Sequence, residues 1–151
     1  MKKIIAVFIM AILAPVVSQA DDKGLITKAS QFSVTETIDR LENVLKKKGI
    51  TVALRWSHSD KAAGVGIKVR PTELLIFGNP KLGSNMFTSN QVSGIDFPMK
   101  ALAWEDEKGK VWITYNDPGY LAGRHGVNDR AKVIKKMTGA LNKFTDVATK
   151  P

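Results

Sequence analysis

The 151-residue chain carries 23 basic and 14 acidic residues, a formal net charge of +9, and no cysteine. Disulfides, thiolate metal sites and a cysteine nucleophile are therefore excluded. With 44% hydrophobic and 25% charged residues, the composition is that of a folded globular protein and not of a disordered or fibrous one.

The chain opens on Met1-Lys2-Lys3, continues through an apolar run from Ile4 to Val17, and reaches the small residues Ser18 and Ala20 before the acidic pair Asp21-Asp22. A basic start, a short apolar stretch and a small-residue cleavage site form the pattern of a secretory signal peptide. The run of about 14 residues is shorter than the ~20 needed to span a bilayer as a helix. The expectation is a leader over residues 1–20, cleavage after Ala20, a periplasmic location, and one α+β domain over residues 21–151. Loss of Lys2 and Lys3 with the leader leaves 21 basic against 14 acidic residues, a net charge of +7. Such a surface favours anionic partners. An exported protein rarely meets nucleic acid, so no nucleic-acid partner is expected; peripheral contact with an anionic membrane surface belongs to one of the alternative readings below. Lys46 to Lys48 and Lys135-Lys136 sit on predicted helices, where cations form solvated faces.

Residues 24–30 predict a weak first strand. Ser33-Val34-Thr35-Glu36 is a capping box: the serine hydroxyl can accept from the Glu36 N–H. Val34, Ile38, Leu41 and Leu45 follow at helical spacing, and Gly49 suits the left-handed stop. Ile50, Val52, Leu54 and Trp56 alternate with Thr51, Ala53 and Arg55, which predicts a half-buried strand. A polar stretch over 57–66 predicts a loop or short helical turn. Leu74 to Phe77 is apolar at every position and predicts a central strand covered on both sides. Gly78-Asn79-Pro80 ends it.

A short helix is hinted at by Leu82, Met86 and Phe87. Residues 99–104 and 110–115 then predict a hairpin around the turn Glu105 to Gly109, with Trp104 and Trp112 as cross-strand neighbours. Asn116-Asp117-Pro118-Gly119 stops the second strand, 121–125 suits a helical turn, and Asn128 is the expected N-cap of a last helix lined by Val133, Met137, Leu141 and Phe144. The order β-α-β-β-β-β-α argues an α+β sandwich of helices against one sheet.

Several separated segments carry a resemblance. Leu75-Ile76-Phe77-Gly78-Asn79-Pro80 and Trp112-Ile113-Thr114-Tyr115-Asn116-Asp117-Pro118 are similar to segments of the bacterial domain-of-unknown-function family 302. Gly94 to Lys100, Gly109 to Trp112, and Tyr120 to Gly126 fit the same family, so the resemblance runs from about Ile26 to Phe144. It implies a β-α-β(4)-α arrangement with a curved antiparallel sheet backed by helices, resembling the TATA-binding-protein-like fold. It also implies a homodimer. It transfers no activity, because fold alone does not imply function. Relatives often carry an Asp-His pair after the second strand, where this chain has Ser57-His58, so an Asp–His relay is absent there.

His58 and His125 are the two histidines, the side chains whose ordinary pKa lies near neutrality. Ser57, His58, Ser59 and Asp60 lack the Gly-x-Ser-x-Gly elbow of a hydrolase. A metal could draw on His58, His125, Asp60, Asp96 and Asp117, but no tight ligand spacing supports one. No catalytic set, metal ligand or cofactor is therefore assigned. If the Asn79-Pro80 and Asn116-Asp117-Pro118 turns meet at one sheet end, they frame a pocket mouth to which Tyr115, Tyr120, Arg124 and His125 would supply polar groups. Arg124 and His125 have no structural duty visible in the sequence. A helix-backed sheet can also leave an apolar cavity between its layers for a small or lipophilic ligand. The favoured reading is a non-catalytic binding or accessory module. The alternatives are a metal-dependent or acid–base enzyme using His58 or His125, and an envelope protein with a basic lipid-facing surface.

Overall fold

Residues 23–151 are described by the computed structural model; the predicted leader and its cleavage site lie outside them. The chain runs through β1 (Leu25–Ser30), α1 (Val34–Lys47), β2 (Thr51–Ser57), α2 (His58–Ala63), β3 (Thr72–Gly78), α3 (Pro80–Ser89), a 3₁₀ segment (Gln91–Asp96), β4 (Met99–Glu105), β5 (Val111–Asn116), α4 (Pro118–Arg124) and α5 (Ala131–Thr149). The strands form one sheet in the order β1-β5-β4-β3-β2, and every pairing is antiparallel. This is the expected α+β arrangement, with three short helices added in the connections.

The period-two rule assigns the faces. Ile26, Leu75, Phe77, Met99, Ala101, Ala103, Val111 and Ile113 point to the covered face and are buried. They pack with Ile38, Leu41 and Leu45 of α1 and Met137 and Leu141 of α5 in one core. The alternate residues Leu74, Ile76, Leu102, Trp104 and Trp112 are only half-buried. The sheet therefore has helices on one side. The expectation that β3 is covered on both sides does not hold: Leu74 and Ile76 lie on the open face, where cross-strand apolar neighbours shield them partly from water. Trp104 and Trp112 are register partners, with ring centroids 6.4 Å apart and planes 25° from parallel.

Helix α1 starts where the capping box places it. Ser33 Oγ accepts from Glu36 N at 3.2 Å, and Gly49 leaves the helix at φ +66°. Ser33→Ala should cost about 1 kcal/mol in urea unfolding; no change would mean that the cap does not fix the helix start.

Strand β2 departs from its pattern. A bulge shifts the register between Val52 and Leu54. One extra residue reverses the facing of everything beyond it. Val52 pairs with the inward-facing Phe77, whereas Leu54 and Trp56 pair with Ile76 and Leu74 on the open face. Arg55 takes the inward side instead and bridges Asp39 of α1 and Glu73 of β3. The last helix also starts later than expected. Arg130, not Asn128, is its N-cap and provides no side-chain cap. Arg130 is held elsewhere: Nε donates to the Asn85 carbonyl at 3.1 Å, tying the entry of α5 to α3.

One cation is buried between the layers. Lys28 Nζ donates to Asn142 O at 2.9 Å, to Asn142 Oδ1 at 2.6 Å and to Asp146 Oδ1 at 3.0 Å. Burial lowers the Lys28 pKa despite the opposing Asp146 charge. For Asp146, burial alone would raise the pKa; the hydrogen bond and charge of Lys28, with help from Lys150, outweigh it and hold the carboxyl below its ordinary value.

Candidate functional site

Antiparallel pairing sends β3 and β5 in the same direction, so both strands end at one edge of the sheet, beside the starts of β2 and β4. The Asn79-Pro80 and Asn116-Asp117-Pro118 turns therefore share a sheet end. Both turns start helices: Asn79 Oδ1 accepts from Lys81 N at 2.9 Å, and Asp117 Oδ1 from Gly119 N at 3.1 Å. Proline follows each cap inside the first turn, where its missing N–H leaves no intrahelical bond unmade.

A cavity of about 470 Å³ opens at this end, between α3, α5 and the ends of β2, β3 and β4. That volume lies in the range of small-molecule sites. Phe77 and Met99 form its floor, Leu82, Phe87 and Phe97 one wall, and Met137, Leu141 and Phe144 the other. Thr51, Asn79 and Ser84 are the polar side chains among its lining residues, and no charged side chain lines it. Phe87 and Phe97 meet edge to face at 5.7 Å, which fixes that wall. Gly78 lets the backbones close up: a Cβ there would stand 3.3 Å from Pro98 Cβ.

The five residues singled out in the sequence do not line this cavity. Tyr115 is 3% exposed and belongs to the core. Burial pushes its phenol pKa up, while the adjacent Thr145 hydroxyl acts in the other direction. The phenol oxygen has no partner at full hydrogen-bond geometry, and the Thr145 hydroxyl donates within α5 to the Leu141 and Asn142 carbonyls. Tyr120 is 43% exposed and lays its ring over Gly24.

His125 has a structural duty, contrary to the sequence expectation, and the exposed Arg124 adds a weaker contact to the same carboxylate. His125 Nε2 lies 2.6 Å from Asp96 Oδ2, and the imidazole is 8% exposed. Arg124 Nη1 approaches the same oxygen at 3.5 Å, and Asn90 Nδ2 donates to the His125 carbonyl at 2.8 Å. Together they pin the end of α4 to the 3₁₀ segment ahead of β4. The His125–Asp96 contact crosses 29 positions of chain, so neither segment signals it alone. His125→Ala should cost about 2 kcal/mol, since it leaves the largely buried Asp96 without its nearest partner. Arg124→Ala should cost at most about 0.5 kcal/mol, because that side chain is 56% exposed. Equal losses for the two in urea unfolding would overturn this assignment.

His58 is exposed and begins α2, at the opposite end of the sheet from His125. Ser57 pairs with Glu73, whereas Met99 and Asn116 mark the other end. The strand length between them is on the order of 15 to 20 Å at ~3.3 Å per residue. The two imidazoles are not brought together. No group of three or more His, Cys, Asp or Glu among the described residues is placed to hold a metal ion. Ser57 Oγ accepts from Asp60 N at 3.1 Å, so Ser57 acts as the cap of α2.

The chain is 42% identical over 134 residues to the Fluoride-specific ion channel FluC 1 of Brucella suis biovar 1 (strain 1330), covering 86% of this chain and 53% of that protein. The FluC 1 of Brucella abortus biovar 1 (strain 9-941) matches equally, with 50% of its length covered. The chain thus spans about half the length of the curated relatives it matches. No helix of the described residues is long and apolar enough to cross a membrane. The crystal structure of an uncharacterized conserved protein DUF302 from Bacillus stearothermophilus superposes with a TM-score of 0.72 at 25% identity, covering 83% of this chain and 98% of that one. Residues 26–144, most of the two-layer domain described above, match the family described as Domain of unknown function DUF302, and the chain belongs to that family.

Proposed function

We propose that this protein is an exported, periplasmic binding module without catalysis of its own, and that its ligand is a small apolar molecule held in the cavity between α3, α5 and the sheet. The observation that carries this reading is the cavity itself: about 470 Å³, walled by phenylalanine, methionine and leucine side chains and free of charged lining residues. Such a lining offers shape and apolar surface. It offers no acid, base or metal ligand at the position a substrate would occupy. Burying a ligand there is favourable at roughly 25 cal/mol per Å² of apolar surface removed from water. The three polar side chains sit at Thr51, Asn79 and Ser84, enough to orient one polar end of an otherwise apolar molecule.

Protein purified from its periplasm should carry a bound apolar compound in native mass spectrometry, and it should bind the fluorescent apolar probe N-phenyl-1-naphthylamine. Ala140 lines the cavity from α5, so Ala140→Phe fills the space and should weaken probe binding about tenfold or more while the fold remains. Undiminished probe binding by a folded Ala140→Phe protein would sink the reading. The same mass measurement reports whether Asp21 is the mature N-terminus and whether the protein is the homodimer that family resemblance implies.

A second reading is favoured by the Brucella relatives. This domain would act as an accessory unit beside a membrane channel, as the matching half stands within proteins named fluoride channels. Co-purification of a channel with the tagged protein from detergent-solubilised membranes tests it; consistent failure to recover one argues for the stand-alone module.

A further inference from the structure

Away from the cavity, large exposed apolar side chains gather on the β2–β3 connection. Val65, Ile67 and Val69 are 72%, 58% and 44% exposed. They alternate in sequence with Gly66, Lys68 and Arg70. The segment is anchored and not a loose tether. Val65 N and Ile67 N both donate to the Ala62 carbonyl, at 3.1 and 2.9 Å, and Gly66 N donates to the Ala63 carbonyl at 3.0 Å. Thr72 N returns to Ser59 Oγ at 3.4 Å. Trp56, exposed on the open face of the adjoining edge strand, carries the Lys61 ammonium 5.0 Å from its ring centroid. Leu54, 44% exposed, lies two residues along the same face.

The charge around these residues is one-sided. From Leu54 to Thr72 the sequence holds Arg55, Lys61, Lys68 and Arg70 against the single acid Asp60. Arg55 is turned inward and paired with Asp39 and Glu73. None of the salt bridges among the described residues involves Lys61, Lys68 or Arg70. A rigid turn of aliphatic residues interleaved with cations outside any salt bridge, next to an exposed tryptophan, has the composition of an interfacial membrane anchor. A second copy of the chain laid on the same patch would bring its cations against their equivalents, which disfavours it. An anionic headgroup layer takes the cations while the aliphatic side chains enter the boundary below.

We infer that Val65, Ile67 and Val69, with Trp56, Lys61, Lys68 and Arg70, dock the protein on the surface of an anionic lipid bilayer. The docking uses none of the cavity-lining residues, so its failure would leave the ligand reading standing, and the converse holds. The test is co-sedimentation of the processed full-length protein with vesicles of phosphatidylglycerol in phosphatidylethanolamine, against vesicles of phosphatidylcholine alone. Binding is expected only to the anionic vesicles. Lys68→Gln and Arg70→Gln should each weaken it about fivefold, the effect of roughly one headgroup-facing charge. Ile67→Ser should weaken it about tenfold through lost apolar insertion. All three positions are exposed, so unfolding temperatures should stay at the parent value. Light scattering on the same samples supplies the rival outcome. A change from dimer to monomer in Ile67→Ser would assign the patch to a second copy and overturn the proposal. So would absence of binding to anionic vesicles, or binding indifferent to all three substitutions.

Discussion

Asp146→Ala should cost about 2 to 3 kcal/mol of folding stability, and Lys28→Met less than about 1 kcal/mol. The asymmetry follows from which partner is buried. Lys28 is 8% exposed beneath α5, whereas the Asp146 side chain is 38% exposed. Without Asp146 the ammonium keeps only the two oxygens of Asn142 and remains as a poorly compensated charge in the interior. Without the ammonium, Asp146 turns to water, and methionine of similar length fills the space between β1 and α5. The two losses are read from urea unfolding of each variant. Similar losses would mean that the pair itself, not the stranded lysine, carries the effect. A pH dependence accompanies it. Asp146 is depressed below its ordinary 3.8 in the folded state, so it stabilises the fold above that value and the contribution fades as pH falls through the lowered folded-state pKa. Asp146→Asn should flatten that acid limb of the stability curve; an unchanged limb would place acid sensitivity in other carboxylates.

Gly24→Ala should destabilise the protein by about 2 kcal/mol or more. Gly24 sits at φ +75°, where a side chain is strained, and a Cβ there would stand 2.1 Å from Cγ of Tyr120. The two effects separate. The backbone term is about 1 kcal/mol and persists whatever the neighbour. The collision involves the root of the ring, so relief requires Tyr120 to swing off the backbone and abandon its contact. In a Tyr120→Ala background, Gly24→Ala should therefore cost only about 1 kcal/mol. Equal costs in the two backgrounds would show that ring packing contributes nothing. Through this contact Tyr120 seats α4 against the start of β1, where Asp117 N also donates to the Gly24 carbonyl at 2.9 Å.

The elements that sequence reasoning located best are those whose signal is local. Ser33 with Glu36, the spacing from Val34 to Leu45, and Gly49 all act within one helix, and α1 starts and stops where they say. The hairpin of β4 and β5 is similar, since its turn and its tryptophan pair are close in sequence. Strand β2 was harder. Its alternation is clear, but a bulge that no composition marks turns Leu54 and Trp56 to the open face. The missed cap of α5 has a comparable cause: Arg130 is recruited by a carbonyl of α3, a contact made across 45 positions.

The site divides along the same line. Asn79-Pro80 and Asn116-Asp117-Pro118 were legible as turns, and antiparallel pairing put them at one sheet end. The residues whose chemical type suggests a pocket there, Tyr115, Tyr120, Arg124 and His125, are engaged in packing or pinning. The residues that do line a cavity, among them Phe77, Phe87, Phe97, Met137 and Phe144, are of the types any core contains. Nothing in a phenylalanine's sequence neighbourhood distinguishes one that meets another side chain from one that faces a void.

By itself the sequence determined the class of fold, the order of its main elements, the family, and the absence of any cysteine chemistry. The family follows from the resemblance of several separated motifs, and the rest from periodicity, capping residues and composition, which act over a few positions or over the whole chain at once. Tertiary structure alone decided that the sheet is covered on one side, that Lys28 is buried against Asp146, that His125 locks onto Asp96, and that an apolar space remains between α3 and α5. Each of these depends on which side chains meet across dozens of residues, and that is set by strand register, by one bulge and by the angle at which helices pack on the sheet.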